Sequence, residues 1–292
     1  MKKCFKLLLA VLISLTMLPS LASADAAVGD VIVTLGENLT QEQKTKLLNE
    51  MEVPQDAQEV TVSNAEEHEY LGDFIPKSQI GTKAISSASI TLGEKDSGLN
   101  ITTNNINWVT DEMYTNALIT AGVKDAKIYI TAPFEVSGTA ALTGILKAYE
   151  VQSGEEIPED VKKIANEEMV ETSQLGDSVG KEKAAALMAN VKEEIAKNTP
   201  ENKEEIKQII ENNANELNIN LTTGEINSLV NFFNKLTNID INWNQIENQF
   251  NVTKEKVSDF LNSEEGQSFL QKLKEFFMSI INAIRSFFAS LF

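Results

Sequence analysis

The sequence predicts an α+β protein in which a mixed sheet domain precedes an all-helical domain. Two observations lead to this fold class. Up to about residue 150, stretches with the apolar alternation of β-strands are intermixed with stretches that have the apolar period of helices. After Gly154 only the helical period continues. We therefore expect an α+β domain with β-α-β units and a hairpin over residues 25–152, and a helical domain over residues 153–266.

The first 24 residues have the pattern of a secretory signal peptide. A cationic start is followed by an apolar run from Leu7 to Leu18 and by Ala22-Ser23-Ala24 before Asp25. The apolar run is shorter than the roughly 20 residues that a membrane span needs. The single cysteine, Cys4, lies in this leader, so cleavage removes thiol chemistry and disulfides. We expect a secreted, extracellular protein, either free or associated with the cell envelope.

The formal net charge of -18 limits the partners of the protein. Nucleic-acid binding depends on clustered Lys and Arg side chains that displace counterions, so we expect no nucleic-acid partner. The acidic excess lies mainly before residue 218, and residues 218–292 are nearly neutral. A neutral, aromatic-rich segment is typical of an interface or a membrane-binding surface.

The first elements are predicted by alternation and by helix caps. Residues 31–35 alternate as a strand, and Thr40 with Gln43 forms a capping box for a helix that ends before Pro54. A second strand is expected at residues 59–62. Ser63 and Glu66 form another capping box for a short helix that ends near Leu71.

Residues 85–92 and 99–104 both alternate between apolar and polar side chains. The turn sequence GEKDSG separates them, so we expect an antiparallel hairpin with one solvated face. Thr110 is the expected cap of a helix that Gly122 ends, and a further strand follows at residues 127–131. Residues 31–63 and 99–132 share an order of strand, Thr-capped helix and strand, which suggests a degenerate duplicated β-α-β unit.

The second half carries successive helical stripes of apolar residues, the last of them rich in phenylalanine. We expect an amphipathic helix over residues 267–292 whose stripe repeats at offsets of three and four. Three roles remain open for this stripe: packing on the protein's own helices, self-association into a homo-oligomer, and binding to a membrane surface. The candidate interaction residues are Phe276, Phe277, Ile280, Ile284, Phe287 and Phe288.

Five sequence blocks resemble the YpuA-like family of secreted proteins from Gram-positive spore formers, a domain of unknown function. The blocks are VTLGENLT, YLGDFIPKSQIGTKAISSASI, NINWVTDEMYTNALITAGVKDA, APFEVSGTAALTGILKAYE and INLTTGEINSLVNFFNKL. The resemblance covers roughly the whole chain after the leader. It implies an extracytoplasmic location and a shared architecture, and it carries over no catalytic residue.

The candidate binding residues are Ser137, Gly138 and Thr139, which open a helix after the strand that ends at Pro133. Backbone N–H groups at such a turn suit an anion or ligand, and Ser137 is also a candidate nucleophile. The alternative is a plain helix cap with small residues for close packing. His68 lies among acidic residues, where a metal or acid-base site competes with a solvated helix face. Polar rows on the predicted hairpin offer a binding surface or an ordinary wet sheet face.

The sequence predicts no catalytic residue set, no metal site and no cofactor. We therefore expect a non-enzymatic binding or interaction protein, whose partner is an unidentified protein or an envelope component. The alternative is an extracellular hydrolase or transferase that uses Ser137, Thr139 or carboxylates of the central domain. A third hypothesis is a small-ligand or anion-binding module at the same helix start.

Overall fold

The computed structural model describes residues 27–251, so the predicted signal peptide and the predicted Phe-rich helix lie outside the described residues. The strands are β1 (Val31–Gly36), β2 (Gln58–Val62), β3 (Ser87–Leu92), β4 (Leu99–Ile106) and β5 (Ala126–Val136). The helices are α1 (Gln41–Glu50), α2 (Asn64–Leu71), α3 (Lys77–Ile80), α4 (Asp111–Thr120), α5 (Thr139–Ser153), α6 (Glu159–Val179), α7 (Lys181–Asn198), α8 (Lys203–Glu216) and α9 (Thr223–Leu236). Residues 243–251 are also helical. The predicted α+β class is confirmed.

The five strands form one mixed sheet in the order β2-β1-β3-β5-β4. Strand β1 is parallel to β2, and β4 is parallel to β5. Helix α1 connects the first pair and α4 connects the second, so both predicted β-α-β units are present. The central strand β3 is antiparallel to its neighbours β1 and β5.

The predicted hairpin of β3 and β4 is wrong, because β5 lies between these two strands. The loop that joins them crosses the first residues of β5. Gly93 N and Gly98 N donate hydrogen bonds to the backbone oxygen and the side-chain oxygen of Asp125, at 2.6 and 2.8 Å. Apolar alternation shows which face of a strand is buried, but not which strand pairs with it. The pattern of β3 and β4 was therefore equally compatible with a third strand between them.

The two faces of the sheet bury apolar clusters of different size. On one face Ile32, Ile90 and Ile130 belong to a large cluster that includes side chains of α4, α5 and α6. On the other face Val33 and Leu35 pack with Leu47 of α1 and a few neighbours. Helix α5 packs across β1, β2 and β3, and α2 contacts both α5 and α6. Helices α2, α5 and α6 therefore meet on the face of the sheet that buries the larger apolar cluster.

The helices that follow the sheet extend its core and then build a second one. Val161, Ala165 and Met169 of α6 belong to the same cluster as the sheet residues. A separate cluster joins α7, α8 and α9, and it includes an edge-to-face contact between Phe232 and Phe233 with ring centroids 5.0 Å apart. The predicted division of the chain at residue 152 stays a prediction. Within residues 27–251, no helix combines the length and the apolar content that crossing a membrane requires.

A buried ion pair joins α4, α6 and α7. Lys192 and Glu168 have side chains that are 0% and 1% exposed, with 2.6 Å between Nζ and Oε1. The Lys192 ammonium also donates to Asn116 O at 2.7 Å and to Thr120 Oγ1 at 2.8 Å. Burial lowers the pKa of Lys192, and the Glu168 carboxylate opposes that shift. Each of the three ammonium protons has an acceptor, as burial of this charge requires.

Candidate functional site

The predicted capping box of α2 fixes one wall of a cavity. Ser63 and Glu66 exchange the expected hydrogen bonds, with Glu66 N donating to Ser63 Oγ at 3.2 Å and Ser63 N donating to Glu66 Oε2 at 2.8 Å. The second carboxylate oxygen of Glu66 accepts a hydrogen bond from Lys147 Nζ on α5 at 2.6 Å. Glu66 thus both completes the capping box and links α2 to α5.

The cavity lies between α2, α5 and α6 and has a volume of about 200 Å³. Its lining combines four charged side chains with a tyrosine, a threonine and a leucine. The lining residues are Glu66, Tyr70, Thr143, Leu146, Lys147, Glu150 and Lys162. This volume is below the range of about 300–1,000 Å³ that is usual for drug-sized ligands, so the cavity suits a small molecule.

Two lysines and their carboxylate partners supply the charge of the cavity. Lys147 and Glu66 form a partly exposed pair, with side chains 40% and 32% exposed. Lys162 is more enclosed and lies 3.0 Å from Glu150 and 2.9 Å from Glu159. These pairs keep the lining nearly balanced in charge.

The pKa values of Lys162 and Glu66 are shifted toward the charged forms. Burial by itself lowers the pKa of Lys162, but hydrogen bonds to Glu159 and Glu150 outweigh it and hold the pKa well above its ordinary value. Burial raises the pKa of Glu66, and hydrogen bonds from Lys147 and Ser63 outweigh it, so the pKa lies below the usual range. The charges of Lys162 and Glu66 therefore persist at neutral pH.

Thr143 lines the cavity and is the least satisfied of its polar groups. The residue is 3% exposed. Its Oγ1 atom is buried and makes no hydrogen bond within the described residues. A buried hydroxyl without a partner costs about 1–3 kcal/mol, so a ligand that hydrogen-bonds it gains affinity by removing that cost.

The predicted turn at Ser137, Gly138 and Thr139 lies one helical turn before this cavity, at the start of α5. Gly138 is the N-cap residue with a positive φ of 93°. Its carbonyl accepts a hydrogen bond from the buried Tyr114 hydroxyl at 2.6 Å, and a Cβ added at Gly138 would clash with the Tyr114 hydroxyl oxygen. A side chain at this position would be strained both by the left-handed backbone and by the Tyr114 contact.

The hydroxyl of Thr139 is already engaged. Thr139 Oγ1 donates to Glu67 Oε1 at 2.5 Å and lies 3.1 Å from Ser137 Oγ. Thr139 and Glu67 are each 2% exposed, and burial raises the pKa of the Glu67 carboxyl. Ser137 is half-buried. Ligand binding at this turn stays a prediction.

The neighbouring Glu66 and Glu67 side chains contact other residues, not His68. The His68 Nε2 atom lies 2.9 Å from Gly81 O, whereas Glu66 contacts Lys147 and Glu67 contacts Thr139. Residues 27–251 contain no group of three or more His, Cys, Asp or Glu side chains suited to a metal ion.

The polar rows predicted on the hairpin do share one face of the sheet, with polar residues of β5 between them. Thr131 is paired with Ser87 of β3 on one side and with Asn104 of β4 on the other. Glu50, at the end of α1, accepts hydrogen bonds from Asn104, Tyr129 and Thr131 at 2.7–3.1 Å. Burial raises the pKa of Glu50, but these bonds outweigh it and leave the pKa below its ordinary value. The face is thus partly buried and organised by one carboxylate.

Sequence reasoning missed the cavity residues on α5, although a signal was present. Thr139, Thr143 and Lys147 recur every four residues on a helix that is otherwise mostly apolar. Such a spacing places the polar groups on one helix face. Their partners on α2 and α6 follow only from how the helices pack. The candidate residues Phe276, Phe277, Ile280, Ile284, Phe287 and Phe288 lie outside the described residues.

Comparisons with known proteins place the chain among relatives without a described activity. A family model described as "Protein of unknown function (DUF1002)" matches residues 35–253. The chain is also similar to "Uncharacterized protein YpuA" of Bacillus subtilis (strain 168), with 57% identity over 289 residues, which cover 99% of this chain and 100% of the relative. No solved structure matches the chain.

Proposed function

The chain belongs to the DUF1002 family of proteins of unknown function, and we propose that it is a secreted, non-enzymatic binding protein. In this proposal the folded body takes a small charged ligand in the cavity between α2, α5 and α6. The observation that carries the proposal is the unpartnered buried hydroxyl of Thr143 in a cavity lined by charged side chains. Buried polar groups normally have partners, and a ligand is one way to supply the missing one.

Binding is better supported than hydrolysis by the state of the candidate nucleophiles. Thr139 is buried, and its hydroxyl donates a hydrogen bond to Glu67. A nucleophile needs access to the substrate and a base within hydrogen-bond reach. Only the half-buried Ser137 retains some access, and its contact with Thr139 Oγ1 at 3.1 Å is the observation that favours the hydrolase alternative.

A thermal-shift screen tests the binding proposal. The purified protein is heated with amino acids, carboxylates, phosphate and simple sugars, each in excess. A ligand that binds only the folded state raises the melting temperature. We expect at least one class to do so, and expect Lys147→Met to reduce the shift. If no class changes the melting temperature while ester substrates are hydrolysed and Ser137→Ala abolishes that activity, the hydrolase alternative replaces the binding protein.

Attachment to the envelope is the second part of the proposal, and it depends on the sequence of residues 267–292. Large apolar side chains contribute about 1.5–3 kcal/mol each when they leave water, so a Phe-rich stripe favours a membrane or protein surface. We expect the protein to sediment with phosphatidylglycerol vesicles and a Phe277→Ser, Phe288→Ser double variant to remain in solution. Phe134→Ser is the matched control, because Phe134 is 52% exposed on the folded body. Equal sedimentation of all three proteins would remove the membrane role.

A further inference from the structure

The charges that line the cavity between α2, α5 and α6 are balanced in sign. Two ammonium groups, Lys147 and Lys162, line it together with two carboxylates, Glu66 and Glu150. Each ammonium lies within 3.0 Å of one of these carboxylates. A ligand of a single sign would gain one attraction and meet a like charge beside it. The lining therefore favours a molecule that is neutral overall and carries both charges.

The size of the cavity restricts that molecule further. Its volume is about 200 Å³, and the cavity is partly open to solvent. A small amino acid is of a size that suits this space. Leu146 and the Tyr70 ring add apolar surface to the same lining.

On this basis we infer that the cavity binds a free α-amino acid with a small aliphatic side chain. The inference rests on the proposed binding function and names its ligand class. The ligand carboxylate lies toward Lys147 and Lys162, and its ammonium lies toward Glu66 and Glu150. The Thr143 hydroxyl supplies a further hydrogen bond to one of the two groups, and Leu146 contacts the side chain.

The partly exposed pair is the part of the cavity best placed to exchange partners. Lys147 and Glu66 are 40% and 32% exposed, and Lys147 Nζ also donates to Thr61 O at 2.9 Å. An ammonium that keeps this backbone contact can turn from Glu66 to a ligand carboxylate without losing all its acceptors. Lys162 stays fixed between Glu150 and Glu159, so Lys147 is the ammonium that can turn toward a ligand.

Calorimetric titration of the full chain tests the ligand class. The free amino acid that binds best in a thermal-shift screen is compared with its two halves; for L-valine these are 3-methylbutanoate and isobutylamine. We expect the amino acid to bind at least about tenfold more tightly than either half, a difference of about 1.4 kcal/mol. Equal or tighter binding of the carboxylate or of phosphate would overturn the ligand class but leave the binding function standing. Absence of binding by every class would overturn both.

Two matched pairs of variants separate ligand binding from structural effects. Lys147→Met should lower the affinity for the amino acid about tenfold. Lys207→Met, which removes a lysine with 41% side-chain exposure on α8, should leave the affinity unchanged. Thr143→Val should weaken binding severalfold while raising the melting temperature, because it removes an unpartnered hydroxyl. Thr172→Val, which removes a hydroxyl that donates to Glu168 O, should lower the melting temperature and keep the affinity. Unchanged affinity in both Lys147→Met and Thr143→Val would exclude this cavity as the site.

Discussion

Two lysine–glutamate pairs have the same contact distance of 2.6 Å but differ in their exposure to solvent. The Lys192–Glu168 pair is wholly buried between α4, α6 and α7, and Asn116 O and Thr120 complete its hydrogen bonds. The Lys147–Glu66 pair borders the cavity and is more than 30% exposed on both sides. Solvent does not reach the buried pair, so its groups keep their partners. The groups of the cavity pair are exposed enough to exchange one partner for another. Burial and saturation of hydrogen bonds, and not the distance between the charges, therefore distinguish a structural ion pair from one whose groups are open to exchange.

The largest effect is expected at the buried pair. Lys192→Met leaves the Glu168 carboxylate buried without its cation, which typically costs about 3–5 kcal/mol. We expect the free energy of unfolding, measured by urea titration, to fall by that amount. Lys207→Met, whose lysine lies 3.8–3.9 Å from two exposed partners, should change it by less than about 0.5 kcal/mol. Similar losses in the two variants would contradict the comparison.

An intermediate effect is expected at Lys162, which is more enclosed than Lys147. Lys162→Met leaves Glu150 and Glu159 without their shared cation, and we expect a loss of about 1–2 kcal/mol in the free energy of unfolding. Lys147→Met should cost less than about 1 kcal/mol because solvent replaces its contacts. The same urea titration measures both, and the reverse order would show that exposure does not rank these pairs.

A smaller effect of opposite sign is expected at Thr143. Thr143→Val should raise the free energy of unfolding by about 1 kcal/mol, since valine has a similar shape and no hydroxyl to satisfy. Thr172→Val, at another buried helical threonine, should lower it by about 0.5–1.5 kcal/mol because its hydroxyl has a backbone acceptor. Destabilisation by Thr143→Val would show that the hydroxyl has a structural partner.

The smallest effect is a dependence on pH at Glu66. The pKa of Glu66 in the fold lies below its ordinary value of 4.5, so the folded state favours the ionised form. Its contribution to stability is present above pH 4.5 and is lost as pH falls through the lower folded-state pKa. Glu66→Gln should therefore lose less stability than the unsubstituted protein as the pH falls below 4.5. Parallel stability curves of the two proteins over this range would exclude the contribution.

Local sequence signals predicted many elements because their causes are local. The capping boxes at Thr40 and Ser63 and the cap at Thr110 are present, since a cap involves residues within one helical turn. The two β-α-β units follow from alternation and helical period. The neighbour of β3 could not be predicted in this way, because strand pairing depends on segments far apart in the chain.

The candidate site divides along the same line. The sequence pointed to the start of α5, and the cavity lies on the continuation of the same helix face at Thr143 and Lys147. Sequence spacing could indicate that face, but not that α2 and α6 close it with Glu66 and Lys162. Glu66 and Lys162 are brought together by the packing of α2 and α6 against α5 and against each other, which no local pattern encodes.

The α+β class, the family and the positions of caps and stripes could be read from the amino-acid sequence, because they depend on composition and on contacts within a few residues. The strand order, the burial of Lys192 with Glu168 and the cavity with its unpartnered Thr143 hydroxyl follow only from long-range packing. A lysine and a glutamate have the same chemistry at every position of the chain. Only the packing around them sets how much water reaches them, and that decides whether they hold the fold or meet a ligand.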